Sequence, residues 1–231
     1  MTYKEVTTGT FISRPNRFIA KVLINGKEET VHVKNTGRCK ELLINGYRVH
    51  LSVSNNPNRK TKYDLIATEK VLNDGSVILI NMDSQIPNDV VEEWLIKGNL
   101  FSENAVIKRE YTFGSSRFDF YIEDRSRKAF LEVKGVTLEE NGLAMFPDAP
   151  TVRGVKHIKE LEKAVALGYE GYILFVIQMK GCKYFTPNYK THKDFGEALK
   201  KAEKSGVKIL AFDCLVKNNS ISLQDEVEVK L

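Results

Sequence analysis

Two carboxylates and a lysine have the types and spacing for phosphodiester chemistry. Residues 117–122 and 129–135 are predicted strands joined by a short polar turn. In the register that this turn predicts, Asp119 lies directly opposite Glu132, and Lys134 follows two residues along on the same face as Glu132. Like charges that oppose each other across a sheet are destabilising. A divalent cation with oxygen ligands, such as Mg²⁺ or Mn²⁺, would remove that penalty.

An Asp on one strand and Glu-x-Lys on the next resemble the active-site pattern of the PD-(D/E)XK nucleases. In such a site the carboxylates of Asp119 and Glu132 hold a metal that polarises a phosphodiester and lowers the pKa of water. Lys134 then orients the water or stabilises the developing negative charge. The alternative is that Glu132 and Lys134 are the solvent face of an amphipathic strand.

The composition is that of an ordinary globular protein. The chain has 231 residues, 42% hydrophobic and 28% charged, which suffices for a buried core. The longest apolar run, residues 172–177, is too short to span a bilayer, and no signal-peptide core follows Met1. Three scattered cysteines without C-x-x-C spacing indicate reduced thiols, not a zinc site. We therefore expect a cytoplasmic protein without membrane contact.

The net charge of +5 is confined to the first part of the chain. Residues 1–86 carry 13 Lys and Arg against 8 Asp and Glu, whereas residues 87–231 carry 22 against 22. This asymmetry predicts a basic, polyanion-binding domain over 1–86 that is joined to a neutral domain over 87–231.

The first domain is predicted to be a small β-barrel. Turn signals such as Asn25-Gly26 separate alternating strands, and residues 38–44 are predicted to form a short helix. This content is typical of an OB-fold, a frequent nucleic-acid binder, although an SH3-like barrel is an alternative. The predicted strands cover residues 18–24, 29–33, 48–53, 63–72 and 77–81.

The second domain is predicted to be an α/β unit within a mixed α+β chain. Thr151 is a predicted helix N-cap, and residues 194–197 have the spacing of a capping box. Strand alternation places Phe118 and Phe120 together on the face opposite Asp119. The predicted order is that of the PD-(D/E)XK core: helix 86–98, strands 106–113, 117–122 and 129–135, helix 151–167, strand 172–178, helix 194–206 and strand 207–216.

Cations on the predicted barrel loops are candidates for holding a phosphate backbone without reading sequence. The alternative for the loop at residues 55–62 is a solvated turn. Backbone N–H groups of residues 35–38 are a further candidate phosphate site, with an ordinary turn as the alternative. The candidate nucleic-acid-binding residues are Arg14, Arg17, Arg38, Arg59, Lys60, Lys62 and Arg153.

Two further residues are candidates near the carboxylates. His157 shares a helix face with Arg153 and would act as a proton carrier or phosphate contact, or else simply pack. Glu110, on the preceding strand, is a candidate third metal ligand. The competitors for that role are Glu92, Glu93 and Glu103.

Across essentially its full length, the chain resembles the sugar fermentation stimulation protein A family. The blocks that carry the resemblance are Asn35-Thr36-Gly37, Asn56-Pro57-x-Arg59-Lys60, Glu110, Gly114, Ser116-Arg117-x-Asp119, Glu132-Val133-Lys134-x-Val136-Thr137-Leu138, Phe146-Pro147-Asp148-Ala149 and Arg153-Gly154-x-Lys156-His157. The resemblance implies an OB-like domain, a nuclease-like domain, and nonspecific DNA binding linked to sugar metabolism. It also implies metal-site roles for Asp119, Glu132 and Lys134, with Glu110 and His157 beside them.

We therefore expect a sequence-nonspecific protein for double-stranded DNA with a nuclease-type site that uses Mg²⁺ or Mn²⁺. One alternative is a non-catalytic DNA-binding regulator in which the nuclease-like domain is a scaffold. Another is an enzyme for RNA or a nucleotide, because the phosphodiester chemistry is the same.

Overall fold

Fifteen strands and three helices are present in the computed structural model, which describes residues 1–35 and 37–231. None of these helices is both long enough and apolar enough to cross a membrane. The strands are β1 (Val6–Asn16), β2 (Ile19–Ile24), β3 (Lys27–Val33), β4 (Arg48–Val53), β5 (Tyr63–Val71), β6 (Val77–Asn81), β7 (Val106–Phe113), β8 (Ser116–Asp124), β9 (Arg127–Val136), β10 (Leu138–Glu140), β11 (Leu143–Phe146), β12 (Glu170–Ile177), β13 (Tyr184–Pro187), β14 (Lys208–Lys217) and β15 (Ser220–Glu226). The helices are α1 (Ile86–Ile96), α2 (Val152–Ala166) and α3 (Lys193–Lys204).

Strands β1–β5 close into a barrel with the OB-type strand order, and this confirms the predicted fold of the first half. The order is β3-β2-β1-β4-β5, and a short parallel pairing of β3 with β5 completes the ring. Strand β6 continues the sheet beyond β5. We call β1–β6 the barrel domain. Strand β1 was not predicted, because two register irregularities interrupt its alternation.

The helix predicted for residues 38–44 is wrong, because this segment forms turns. Carbonyls at the start of the segment accept hydrogen bonds from a side chain of β1. The Arg14 guanidinium donates to the carbonyls of Gly37 at 2.8 Å and Arg38 at 2.7 Å. These carbonyls therefore bond a side chain instead of the N–H groups of a helix. Those bonds hold the start of the segment in an irregular path.

Elements α1 to β15 form the α/β domain, which contains the predicted succession of helices and strands and ends with one further strand, β15. The main sheet has the order β15-β14-β12-β9-β8-β7, and β9, β12 and β14 run parallel. Helix α1 covers one face, where Leu95 packs with Leu131 and Leu174. Helices α2 and α3 cover the other face through Leu161 and Phe195. The small sheet β10-β11-β13 was not predicted, because strands of three or four residues carry little periodicity.

Two local predictions in this domain are wrong and one is confirmed. Phe118 and Phe120 do not share a face, since Phe118 packs in the α2 cluster and Phe120 in the α1 cluster. Helix α3 begins at Lys193, so Asp194 lies in its first turn and is not the N-cap. There its negative charge interacts favourably with the helix dipole. Thr151 is the N-cap of α2, and its Oγ1 accepts from the Gly154 N–H at 3.0 Å.

The two domains meet through polar contacts. The Gln178 amide, at the end of β12, donates to Asn81 Oδ1 at 3.0 Å and to the Asp83 carbonyl at 3.1 Å. Lys70 Nζ donates to the Glu139 carbonyl at 2.6 Å and also forms an ion pair with the Glu139 carboxylate. Because these groups are directional and largely buried, they define one mutual orientation of the domains.

The Thr151 cap generates a stability prediction. Thr151→Ala leaves the Gly154 N–H without its acceptor, so the free energy of unfolding should fall by about 1 kcal/mol. Urea unfolding measures this change. Thr151→Ser keeps the hydroxyl and serves as the control, which should retain most of the stability. Equal losses in both variants would contradict the capping role.

Candidate metal and phosphodiester site

The β8–β9 hairpin has the predicted register. Its turn is shorter than expected, with two residues beginning at Arg125, whose φ of 56° lies in the left-handed region. The backbone ladder ends at the pair Phe120↔Leu131. Asp119 and Glu132 occupy the next opposed positions, where the two strands part.

The Asp119 carboxylate fills the gap between the parted strands. Its Oδ2 accepts from the backbone N–H of Val133 at 2.7 Å, and its Oδ1 accepts from the Asn88 amide at 2.8 Å. A side chain thus takes the hydrogen bond that the neighbouring strand would otherwise provide. Burial, and next the negative charge of Glu132, raise the pKa of Asp119.

Sequence reasoning missed Asn88, which lies in the first turn of α1. A signal was present in the helix spacing. Asn88, Val91 and Leu95 recur at i, i+3 and i+7, so they share one face of the helix. Val91 and Leu95 are buried against the sheet. A polar residue on such a face points toward a buried partner, which here is Asp119.

Glu132 is buried, with 3% of its surface exposed. Its Oε1 bonds both the Lys134 ammonium and the His157 ring. Its Oε2 is buried and lacks a hydrogen-bond partner among residues 1–35 and 37–231. Burial alone would raise the pKa of Glu132, but the bonds to His157 and Lys134 outweigh it and lower the pKa. The carboxylate is therefore held ionised with one oxygen uncommitted.

His157 reaches Glu132 from the second turn of α2. The Arg153 Nε lies 3.4 Å from His157 Nε2 and donates to it, so Nδ1 carries the proton that bonds Glu132. The ring lies edge-on to Phe118, with centroids 6.0 Å apart. The structure therefore joins His157 to the predicted carboxylate through a direct contact.

Glu110 lies apart from this contact network. It is exposed on β7, has a φ of 54°, and pairs with Arg117 Nη1 at 3.2 Å. Its role as a third ligand stays a prediction. Within the described residues, no group of three or more His, Cys, Asp or Glu side chains is arranged to hold a metal ion.

The donors present nevertheless fit a divalent cation. Asp119 and Glu132 offer hard carboxylate oxygens at the same end of two neighbouring strands. An ionised carboxylate oxygen that is buried without a partner is costly, and the Glu132 Oε2 is such an atom. A cation held by these carboxylates would satisfy that oxygen and counter the two causes that raise the pKa of Asp119, which are burial and next the charge of Glu132.

Arg14, a predicted nucleic-acid contact, is bonded within the barrel domain. Arg14 donates to four backbone carbonyls, those of Gly37, Arg38, Arg17 and Asn35, at 2.7–2.8 Å. Its guanidinium therefore shapes the loop that carries the other cations.

Arg59 forms a two-bond ion pair with Asp64, at 2.7 and 2.6 Å. Because Asp64 already neutralises this guanidinium, Arg59 has less charge to offer a phosphate. The loop at residues 55–62 is held by this pair at its base.

The remaining predicted cations are exposed. The backbone N–H site predicted at residues 35–38 includes Thr36, which lies outside the described residues. The exposed candidates are Arg17, Arg38, Lys60, Lys62 and Arg153.

Comparison with known proteins decides the family. The model described as "SfsA N-terminal OB domain" matches residues 12–80, and that described as "Sugar fermentation stimulation protein RE domain" matches residues 85–220. The chain belongs to the sugar fermentation stimulation protein family. Among its relatives, a sugar fermentation stimulation protein homolog of Desulfitobacterium hafniense is 61% identical over 100% of this chain and 99% of that protein. The homolog of Ruminiclostridium cellulolyticum is 57% identical over the full length of both.

A solved structure of the same family has the same fold. It is described as Pyrococcus furiosus SfsA in complex with Ca²⁺. Its sequence is 30% identical, the TM-score is 0.85, and the match covers 100% of this chain and 98% of that one. The arrangement of barrel and α/β domain is therefore shared between distant members of the family.

The raised pKa of Asp119 generates a pH prediction. The folded state binds this proton more tightly than the unfolded state, so the associated stability is present at low pH and is lost as pH rises through the raised pKa. Asp119→Asn should therefore be more stable than the parent near pH 7 without divalent cations. The difference should shrink toward about pH 4, the ordinary range of aspartate.

Urea unfolding in EDTA across this pH range measures the difference. Asp74→Asn is the control of opposite sign, because hydrogen bonds from the Ser76 hydroxyl and N–H lower the pKa of Asp74. That variant should lose stability near pH 7 and match the parent in acid. An Asp119→Asn difference that does not vary with pH would contradict the assignment.

Proposed function

We propose that this protein binds DNA without sequence preference and hydrolyses phosphodiesters at a site that uses a divalent cation. The observation that carries the proposal is the Glu132 carboxylate. One oxygen is bonded by Lys134 and His157, whereas the other is buried without a partner among the described residues. The Ca²⁺ complex of the Pyrococcus furiosus relative supports a hard cation in this fold.

Each side chain of the site has a distinct task in this proposal. Asp119 and Glu132 hold the cation, and Asp119 also fastens the parted strands through the Val133 N–H. When bound, Mg²⁺ or Mn²⁺ polarises the phosphodiester and lowers the pKa of water. Lys134, only partly exposed beside Glu132, stabilises the negative charge that develops on the phosphate. His157 fixes the orientation of Glu132 and is available to carry a proton.

The barrel domain supplies the contact with the nucleic acid. Its sequence carries the whole net charge of the chain, and exposed cations attract a polyanion through counterion release, without reading bases. The proposed contacts on the barrel are Arg17, Arg38, Lys60 and Lys62, and Arg153 adds a cation next to His157.

Removal of the site residues should abolish cleavage but not binding. Asp119→Asn, Glu132→Gln and Lys134→Met should each lower Mg²⁺- or Mn²⁺-dependent cleavage of DNA at least about a hundredfold, because each removes a cation ligand or charge stabiliser. Labelled linear, nicked and branched DNA and an RNA of the same sequence are the substrates, with EDTA as the blank.

Glu140→Gln is the matched control, since Glu140 is an exposed carboxylate on β10. It should cleave at the parent rate. As a second readout, the cation should stabilise the parent by about 2.7 kcal/mol at a hundred times its Kd, and should not stabilise Glu132→Gln. Salt-sensitive DNA binding with neither cleavage nor cation stabilisation would overturn the catalytic site and favour the regulator.

The exposed barrel cations generate a salt prediction. If each neutralises one phosphate, the double variant Lys60→Ala/Lys62→Ala should reduce the slope of log K against log salt by about 1.8, from about 0.9 per contact. Fluorescence anisotropy with duplex DNA at several salt concentrations measures the slope. Lys193→Ala/Lys204→Ala, on α3 of the α/β domain, is the control pair. An unchanged slope in the barrel variant would exclude these two contacts.

A further inference from the structure

Two cavities meet where the barrel domain faces the α/β domain. The first, about 530 Å³, lies on the barrel and is lined by four cations, Arg14, Arg17, Arg38 and Lys40. The second, about 360 Å³, lies between the domains. Gly37 and Ala149 line both cavities. The two spaces are therefore neighbouring parts of one groove.

An exposed aromatic ring lies next to Arg17, one of the cations that line the barrel end of the groove. Phe18 is 49% exposed, although it is one of the large apolar side chains of the barrel. The Arg17 guanidinium lies 5.3 Å from the centre of its ring. Asn16, which lines the cavity, accepts from the Phe18 backbone N–H at 2.9 Å, so the backbone of Phe18 is held close to the cavity wall. Cations with an exposed aromatic platform are the features that bind single strands.

The inner end of the groove reaches Gly135 and Val136, at the end of the strand that carries Glu132 and Lys134. Gly135 and Gln178 form part of its wall. Gly135 follows Lys134 directly, and it lies three residues from Glu132, about 10 Å along the strand. An added Cβ at Gly135 would lie 2.6 Å from Gln178 Oε1 and 2.9 Å from Pro87 Cγ, so the wall is closely packed at this point.

Polar groups along the inner cavity suit the edges of bases and sugars. Asn35 and Ser84 come from the barrel side, and Thr137 and Thr151 come from the α/β domain. These four side chains are uncharged, and Asp148 adds one carboxylate to the same lining. The cations of the outer cavity suit phosphates, so the two ends of the groove match the two chemical parts of a nucleotide chain.

The dimensions of the groove favour one strand over two. A volume of about 530 Å³ corresponds to a cube about 8 Å on edge, whereas the major groove of a duplex is by itself about 12 Å wide. A space of this size matches one strand more closely than a duplex. An unpaired strand can enter, because its bases are free to stack and its backbone is flexible.

We propose that this groove takes one unpaired strand of nucleic acid and leads it from Phe18 and the barrel cations to the site beside Lys134. The inference rests on the proposed function and names its substrate class. The substrate is a single-stranded end, flap or gap, not an intact duplex. Phosphates lie among Arg17, Arg38 and Lys40, and a base stacks on Phe18.

The test is fluorescence anisotropy in EDTA, where no cleavage occurs, with a labelled single-stranded DNA, the corresponding duplex, and an RNA of the same sequence. Phe18→Ala should weaken single-strand binding about tenfold, the loss of one stacked base. Ala149→Phe should narrow the groove where its two cavities meet and weaken the same binding. Duplex affinity should stay unchanged in both variants.

Leu23→Ala is the matched control, because Leu23 is an exposed apolar side chain on the barrel outside the groove. It should leave every affinity unchanged, and urea unfolding verifies that all variants are folded. Equal effects on single strand and duplex, or none on either, would overturn the groove and leave the proposed function standing. Failure of the parent to bind DNA in any form would overturn the proposed function itself.

The DNA and RNA arms decide the source of the strand, because the groove recognises phosphates and bases that both polymers carry. Tighter binding of DNA assigns the groove to DNA, and tighter binding of RNA assigns it to RNA. Either result supports the groove, provided that Phe18→Ala lowers the affinity of the tighter-bound strand.

Discussion

The arrangement of the α/β domain depends on where strands β8 and β9 part. Their backbone ladder ends at Phe120↔Leu131, and the Asp119 carboxylate then takes the hydrogen bond of the Val133 N–H. The Asp119 side chain replaces a backbone acceptor of the neighbouring strand. The Val133 N–H is therefore bonded although the two strands separate at this point. Glu132 lies at the opposed position, largely buried. The candidate site therefore depends on the Asp119 carboxylate, which accepts the hydrogen bond that a backbone carbonyl would accept in a continuous sheet.

Burying the Asp119 and Glu132 carboxylates side by side is electrostatically unfavourable, and the surrounding groups only partly offset this cost. His157 and Lys134 both bond one oxygen of Glu132, which lowers the pKa of that carboxylate. Burial, and next the charge of Glu132, raise the pKa of Asp119, and the nearby Lys134 only partly counters them. Two neighbouring carboxylates with pKa values shifted in opposite directions are typical of functional sites. The proposed cation would remove the imbalance.

The contact between the domains brings the barrel close to the strand that carries Glu132 and Lys134. Gln178 bonds Asn81 and Asp83 of the barrel side, and its carbonyl accepts from the Asn81 N–H at 2.9 Å. The same residue packs against Gly135, next to Lys134. Buried polar networks specify one arrangement because each member needs its partner. The barrel domain is therefore held in one position relative to Gly135 on β9.

The sequence by itself determined the elements whose signals are local. Alternation and Asn-Gly turns predicted most barrel strands, Thr151 predicted the start of α2, and the short polar turn predicted the register that opposes Asp119 and Glu132. Tertiary structure decided everything that depends on partners distant in the chain. Examples are the opposite faces of Phe118 and Phe120, the Asn88 contact, and the partners that occupy Arg14 and Arg59. Periodicity reports which side of an element is apolar, but a hydrogen bond or ion pair forms only when folding brings both groups together.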